Sequence, residues 1–309
     1  MAGKRDFVSM QDVSEDLVGL LELAASIKNR TKAGELYEPL RGRSLAMIFE
    51  KSSTRTRVSF EVGMTQLGGH ALFLNPNDLQ LGRGETIADT ARVLSRYVDG
   101  IMYRAFKHEH VRELARNATV PVINGLDDRE HPCQTVSDLF TIQERKGHLK
   151  GVQLAYVGDG NNVCNSLLLG SSMVGVDTTA ACPAGYEPDP ELLREARQIA
   201  KDRDAAIDVV HDPLSAVRGA DVVYTDVWVS MGQEREKEER EKVFRPYQIN
   251  AKLLDHAKPD AVVMHCLPAH RGEEITDDVI DGPRSIVFDQ AENRLHAQKA
   301  ILARFLAGV

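Results

Sequence analysis

Short apolar runs recur along the chain, each followed by a polar turn and then by apolar residues three or four positions apart. Runs at 44–49, 70–74, 100–103 and 121–124 predict buried strands. Val58, Phe60, Val62, Met64 and Leu67 predict a helix beginning near Thr54, and further helices are expected over 86–98 and 110–116. Leu17, Leu20, Leu21, Leu23 and Ala24 predict an earlier helix over 14–31, with Ser14 as its cap. After a polar break at 146–151 the pattern resumes. Strands are expected at 152–157, 176–181, 207–210, 222–225, 261–264 and 285–288, with a helix over 163–174. A last helix over 290–306 carries Arg294 in its first turn. Strands alternating with helices mean βαβ units, parallel sheets and an α/β fold.

At 309 residues the chain exceeds a typical single core, so two domains are expected. Hydrophobic content of 42% with 27% charged residues fits a globular protein in water. A net charge of −8 argues against nonspecific nucleic-acid binding. Cys133, Cys164, Cys182 and Cys266 are scattered without a C-x-x-C pair, so no zinc ribbon or disulfide framework is expected, and no metal. The first ten residues lack an apolar core, and no stretch is long enough to span a bilayer. A cytoplasmic location with no membrane partner is the expectation.

Candidate chemistry gathers where strands end. Ser53-Thr54-Arg55-Thr56-Arg57 places small hydroxyls and two guanidinium groups where a strand hands over to a helix. Unpaired first-turn N–H groups and the helix dipole favour an anion there, and arginine forks match phosphate oxygens. The plainer reading is an N-capped helix with surface arginines. Arg104 follows a strand, and His131 precedes a proline suited to a first helical position. Gly158-Asp159-Gly160-Asn161-Asn162 begins like a dinucleotide-binding turn, but Val163 stands where the third glycine belongs, which argues against a nicotinamide cofactor. Asn161 and Asn162 offer neutral amides to a small ligand, or serve the turn itself. The charged run at 234–242 reads as a solvated helix or loop. Cys266 at a strand end is a nucleophile, a ligand or packing, and no His/Asp spacing favours covalent catalysis.

Taken in order, S-T-R-T-R, M-Y-R, H-P-C-Q, D-G-N-N, D-x-x-x-S-M-G, H-C-L-P and F-D-Q-A-E-N-R resemble the motifs of the ornithine carbamoyltransferases, from about residue 7 to 305. The first and third motifs are shared with aspartate carbamoyltransferases; Asp226 with Ser230-Met231-Gly232, and Cys266 within His-Cys-Leu-Pro, point to the ornithine branch. The resemblance implies two doubly wound domains with central parallel sheets and an active-site cleft. Residues 1–148 would bind carbamoyl phosphate and 149–288 L-ornithine, with the helix over 289–309 packing back on the first domain. It implies that Ser53, Thr54, Arg55 and Thr56 hold the phosphate, and that Gln80, Arg104, His131, Pro132, Cys133, Gln134, Cys266, Leu267 and Arg294 complete the carbamoyl phosphate site. Asn162, Asp226, Ser230 and Met231 would bind ornithine, with Arg104, His131, Asp226 and Cys266 in the chemistry. A homotrimer or an assembly of trimers is implied, and no cofactor. The resemblance assigns no role to Asp127, Asp128 and Glu130. Aspartate or putrescine as acceptor, and a noncatalytic carbamoyl phosphate sensor, are the competing readings.

Overall fold

A parallel strand covered on both faces reads as a continuous apolar run rather than an alternation. β1 (Ser44–Phe49) is such a strand, buried from Leu45 onward. The computed structural model, which describes residues 4–75, 79–81, 84–229 and 234–309, places β1 between β2 (His70–Leu74) and β3 (Gly100–Arg104). With β4 (Val122–Leu126) these form a four-stranded parallel sheet in the order β2-β1-β3-β4. The helices of this half are α1 (Leu17–Lys32), α2 (Thr54–Gln66), α3 (Ile87–Leu94), α4 (His108–Asn117) and α5 (Pro132–Lys146). Ile48, Ile101, Tyr103, Val111 and Leu114 belong to the core between sheet and helices. Each large aliphatic side chain fully buried there contributes about 1.5–3 kcal/mol.

Asp16, not Ser14, occupies the N-cap position of α1. Ser14 instead ends a 3-10 turn over Met10–Val13, which Ser9 and Asp12 close by accepting each other's backbone N–H. That reciprocal box caps a separate 3-10 turn four residues ahead of the expected helix start, and α1 itself begins three residues after it.

In the second half, β5 (Gln153–Val157), α6 (Asn162–Val174), β6 (Asp177–Ala181), α7 (Pro190–Arg203), β7 (Ile207–Val210), α8 (Pro213–Val217) and β8 (Val222–Thr225) alternate. α9 (Lys237–Phe244), α10 (Ala251–Leu254), β9 (Val262–His265), α11 (Asp277–Ile280) and α12 (Val287–Leu302) follow. The sheet is again wholly parallel, in the order β7-β6-β5-β8-β9. Ala155, Val157, Val223, Ile249, Val263 and Val279 lie in its core.

The strand expected at 285–288 does not form. Ser285 makes a single bridge to Val263, Ile286 N–H donates to the Val263 carbonyl at 3.0 Å, and α12 begins at Val287. A short apolar run serves a strand or a buried helix start equally well, and here the helix wins. Arg294 therefore lies in the interior of α12 rather than in a first turn.

The chain forms two compact units, one running to Phe140 together with Asn293–Val309, the other Thr141–Glu292. In the first, Phe305 stacks on Phe7 at 5.4 Å between ring centroids, and Lys299 Nζ donates to Thr31 Oγ1 and Gln66 Oε1. The C-terminal segment is thus part of the first unit's packing. Among the described residues no helix is long and apolar enough to cross a membrane.

Open parallel sheets bind ligands beyond the carboxyl ends of their strands, where the strand order reverses. In the first sheet that point lies between β1 and β3; in the second, between β5 and β8.

Candidate active site

At the first sheet's switch point, Ser53 caps α2: its Oγ accepts the Thr56 N–H at 3.2 Å and donates to Thr56 Oγ1 at 3.0 Å. Arg294, from α12, donates to the same Thr56 hydroxyl at 2.8 Å and to the side-chain oxygen Oε1 of Gln134. Gln134 is held in turn by Asp138, to which its Nε2 donates at 2.8 Å. Ser53, Thr56, Gln134 and Arg294 thus form one connected cluster. Arg104 closes β3, opposite Phe49 of β1. His131 directly precedes α5, with Pro132 first in that helix, and its carbonyl accepts the N–H groups of Gln134 and Thr135. Burial, and then the charges of Arg294, Arg104 and Arg55, push the His131 pKa well below the ordinary imidazole value. A neutral imidazole among three guanidinium groups suits a dianionic ligand that carries a carbonyl.

Cys133 packs rather than reacts: its Sγ donates to the Asn124 carbonyl at 3.3 Å, and burial pushes the thiol up to about 12. Thr54 is exposed and Arg55 half-buried at the start of α2. Gln80 is exposed, its carbonyl accepting the Glu85 N–H at 3.4 Å, and the structure does not bring it into the cluster.

At the second switch point, Asn161 caps α6 by accepting the N–H groups of Val163 and Cys164, and its Nδ2 donates to Asp226 Oδ2 at 2.8 Å. Asp226 follows β8, and its other oxygen accepts the Cys266 thiol proton at 2.9 Å. The carboxylate is therefore held from both sides, by the turn after β5 and the turn after β9. Asn162 is the first residue of α6 and half-buried. Leu267 adopts the left-handed conformation (φ 59°), its N–H donating to His265 Nδ1 at 2.9 Å, and its peptide bond to Pro268 is cis. Since His265 Nδ1 accepts, its proton is on Nε2, which donates to Glu274 Oε1 at 3.0 Å. Ser230 and Met231 lie outside the described residues.

Two comparisons give this geometry a family. Residues 5–144 match the model of the carbamoyl-P binding domain of aspartate/ornithine carbamoyltransferases, and residues 150–305 that of the Asp/Orn binding domain. The chain is 59% identical over 306 residues to the anabolic ornithine carbamoyltransferase of Pyrococcus furiosus, covering 99% of this chain and 97% of the relative. The chain belongs to the aspartate/ornithine carbamoyltransferase family. The solved P. furiosus ornithine carbamoyltransferase superposes with a TM-score of 0.96 at 58% identity, over 99% of this chain and 98% of the other. The Gloeobacter violaceus enzyme gives 0.88 at 48% identity, over 99% and 100%.

In this carbamoyltransferase the glycine turn after β5 serves the chain's own packing. A Cβ on Gly160 would lie 2.3 Å from the backbone of Glu187 and Pro188, so the glycine admits that neighbouring segment. The close approach that a dinucleotide fingerprint reserves for pyrophosphate is taken by protein. Asp226, His265 and Cys266 bring one donor atom each within 4.8 Å, the spacing of a metal site. Both His265 ring nitrogens are engaged, by Leu267 and Glu274, so the trio does not offer three open ligands.

Arg240 is the buried charge near the Asp159 turn that the sequence reading missed. The charged run was expected to be solvated, yet Arg240 is 3% exposed. Its Nε donates to the Trp228 carbonyl at 2.6 Å, its guanidinium pairs with Asp159, and it stacks over Tyr186 and Phe244. Burial pushes Asp159 up to about 7 even though Arg240 opposes the shift. The only sequence signal was Glu236 one turn before it, which reads as an ordinary surface pair.

Proposed function

We propose that the chain transfers the carbamoyl group of carbamoyl phosphate to the δ-amine of L-ornithine, giving L-citrulline and phosphate, as the step its anabolic relative is named for. The observation that carries the amino-acid half is the Asp226 carboxylate, fixed by Asn161 and the Cys266 thiol at a strand-order switch. A fixed anion there suits a ligand presenting an amino group. Aspartate, with two carboxylates, would call instead for added cations, and putrescine would leave recognition of an α-carboxylate unused.

In this reading the α2 N-terminus with Ser53, Thr54, Arg55 and Thr56 neutralises the phosphate dianion. Arg104, Thr56 and neutral His131 donate to the carbonyl oxygen, where negative charge accumulates as the tetrahedral intermediate forms. Arg294, itself braced by Gln134, holds Thr56, and Leu267 and Gln80 serve the carbamoyl group when carbamoyl phosphate is bound. The ornithine amine gives up one proton before it attacks, with Asp226 and Cys266 orienting it. Its second proton is lost as the intermediate collapses and phosphate takes the electron pair of the breaking C–O bond. Asn162, Ser230 and Met231 hold the amino-acid end of ornithine.

The active form is a homotrimer, or an assembly of trimers, in the cytoplasm. Support for self-association comes from α2, which exposes Val58 and Val62 one turn apart, and from edge strand β2, which exposes Leu72.

The decisive assay supplies carbamoyl phosphate with ornithine, aspartate or putrescine to wild type and to Arg104→Ala. Citrulline from ornithine alone is expected, with a loss of roughly 10²–10³ in kcat in the variant, the usual effect of removing one oxyanion donor. Turnover of another amine overturns the Asp226 assignment. Binding of carbamoyl phosphate without turnover of any amine would make the chain a sensor.

A further inference from the structure

Asp127 and Glu130 are carboxylates almost wholly withdrawn from solvent, and nothing in the carbamoyl transfer described above uses them. Asp127 Oδ1 accepts the N–H groups of Arg129 and Glu130, at 2.8 and 2.7 Å, which shapes the turn leading into His131. Its Oδ2 accepts Asn124 Nδ2 at 2.8 Å and His108 Nδ1–H at 2.7 Å. Asp128 adds to the same junction, accepting the His108 backbone N–H at 2.7 Å and pairing with Lys107 at 3.1 Å. His108 begins α4, four residues after Arg104. The two turns joined here are therefore those that present Arg104 and His131.

A second tie joins the turn after β1 to the turn after β3. Glu50 accepts the Tyr103 hydroxyl and the Phe106 N–H, each at 2.6 Å, and its own N–H donates to the Arg104 carbonyl at 2.9 Å. Three strand-end turns are thus linked in series by carboxylates.

We propose that the half-buried His108 and the buried Asp127 form a positioning pair for carbamoyl transfer, setting the turn that carries His131 against the turn that follows Arg104. The proposal rests on the functional reading above. Asp127 Oδ1 alone would suffice to close the 127–130 turn. The bond to His108 adds a cross-link between turns, and it fixes two groups that donate to one developing oxyanion. Burial pushes the His108 pKa down, but the hydrogen bond and charge of Asp127, followed by the charge of Glu130, outweigh it, so the net shift is upward. That net direction is what a formed pair requires.

The test is steady-state kinetics of citrulline formation on wild type, His108→Ala, His108→Asn and Asp127→Asn, with Asp127→Asn repeated in a His131→Gln background. Misplacing a catalytic group by about 1 Å can cost about a hundredfold. His108→Ala and Asp127→Asn should therefore lower kcat by roughly 10- to 100-fold, with the KM for ornithine within about twofold of wild type. The asparagine amide can replace Nδ1–H, so His108→Asn should recover most of the loss. In the His131→Gln background Asp127→Asn should cost much less than it does alone, because both act on one donor. Equal kcat in His108→Ala, His108→Asn and wild type overturns the proposal, as does an undiminished Asp127→Asn effect without His131. If Asp127→Asn proves unfolded by circular dichroism, the His108 pair of variants decides. Wild-type turnover with unaffected variants sinks only the positioning role, whereas a wild type without turnover sinks the functional reading and the proposal together.

Discussion

Burial, and then the guanidinium groups of Arg294, Arg104 and Arg55, make His131 give up its proton readily, and the functional reading uses it as a neutral donor. Its imidazole should show no NMR titration between pH 6 and 9, a window that about brackets the unperturbed value; a midpoint near 6.5 would contradict this. With its folded pKa below 6.5, the unfolded chain binds the proton more tightly, so His131 withdraws stability as pH falls below 6.5. Arg240 offers a different test. Arg240→Met strands Asp159 in a site where the two side chains are only 4% and 10% exposed. Breaking one side of a buried pair costs about 3–5 kcal/mol, which a urea midpoint would register. Asp159→Asn in the same chain should recover part of it, since the uncompensated charge is then gone. The residues that touch substrate in the functional reading were legible because motifs name them. Arg240, Asp127 and Glu50 were not, since each acts on a partner far away in sequence and no spacing rule reaches that distance.

Elements were legible wherever periodicity and a cap agreed. Thr54 opens α2 and Pro132 opens α5 where the sequence put them, because Ser53 and the proline are strong local signals. The strand assigned to 285–288 failed because three apolar residues after a serine carry no period. α7 was passed over although Asp189 followed by Pro190 marks its start, the aspartate accepting the N–H groups of Glu191 and Leu192. Two measurements belong at this scale. Asn161→Ala removes both the α6 cap and a bond to Asp226. It should cost about 1 kcal/mol of stability and raise the KM for ornithine more than that for carbamoyl phosphate. Lys299 in α12 is 3% exposed, donates to the neutral oxygens of Thr31 and Gln66, and is pushed down to about 8 by burial. Between pH 8 and 10.5 the unfolded chain holds more protons at this site, so stability contributed here rises with pH across that window. The wild type should therefore gain on Lys299→Met from pH 8 to 10, read by thermal melting; parallel curves would count against it.

At the scale of the whole molecule, alternation of strand and helix made the α/β class and two sheets readable, but not the order of strands within either. The order matters because it decides where each sheet's reversal falls, and both candidate half-sites stand at a reversal: Ser53 and Arg104 beyond β1 and β3, Asn161 and Asp226 beyond β5 and β8. Assembly is the other property at this scale. Val58→Glu with Val62→Glu should leave each chain folded, since both side chains are solvent-exposed, yet lower the mass seen by light scattering from that of the proposed trimer to that of a monomer. An unchanged mass would move the interface elsewhere. The hydrogen bond from Cys266 to Asp226 has a practical corollary for whoever handles the protein. Cys133, Cys164 and Cys182 are buried, and Cys266 alone is partly open. A maleimide dye should accordingly attach at one position per chain, slowly because the thiol is tied to the neighbouring carboxylate by a hydrogen bond. In the functional reading the fluorophore would then sit beside the carboxylate that the ornithine amine approaches, so each labelled chain would carry its own optical gauge of occupancy.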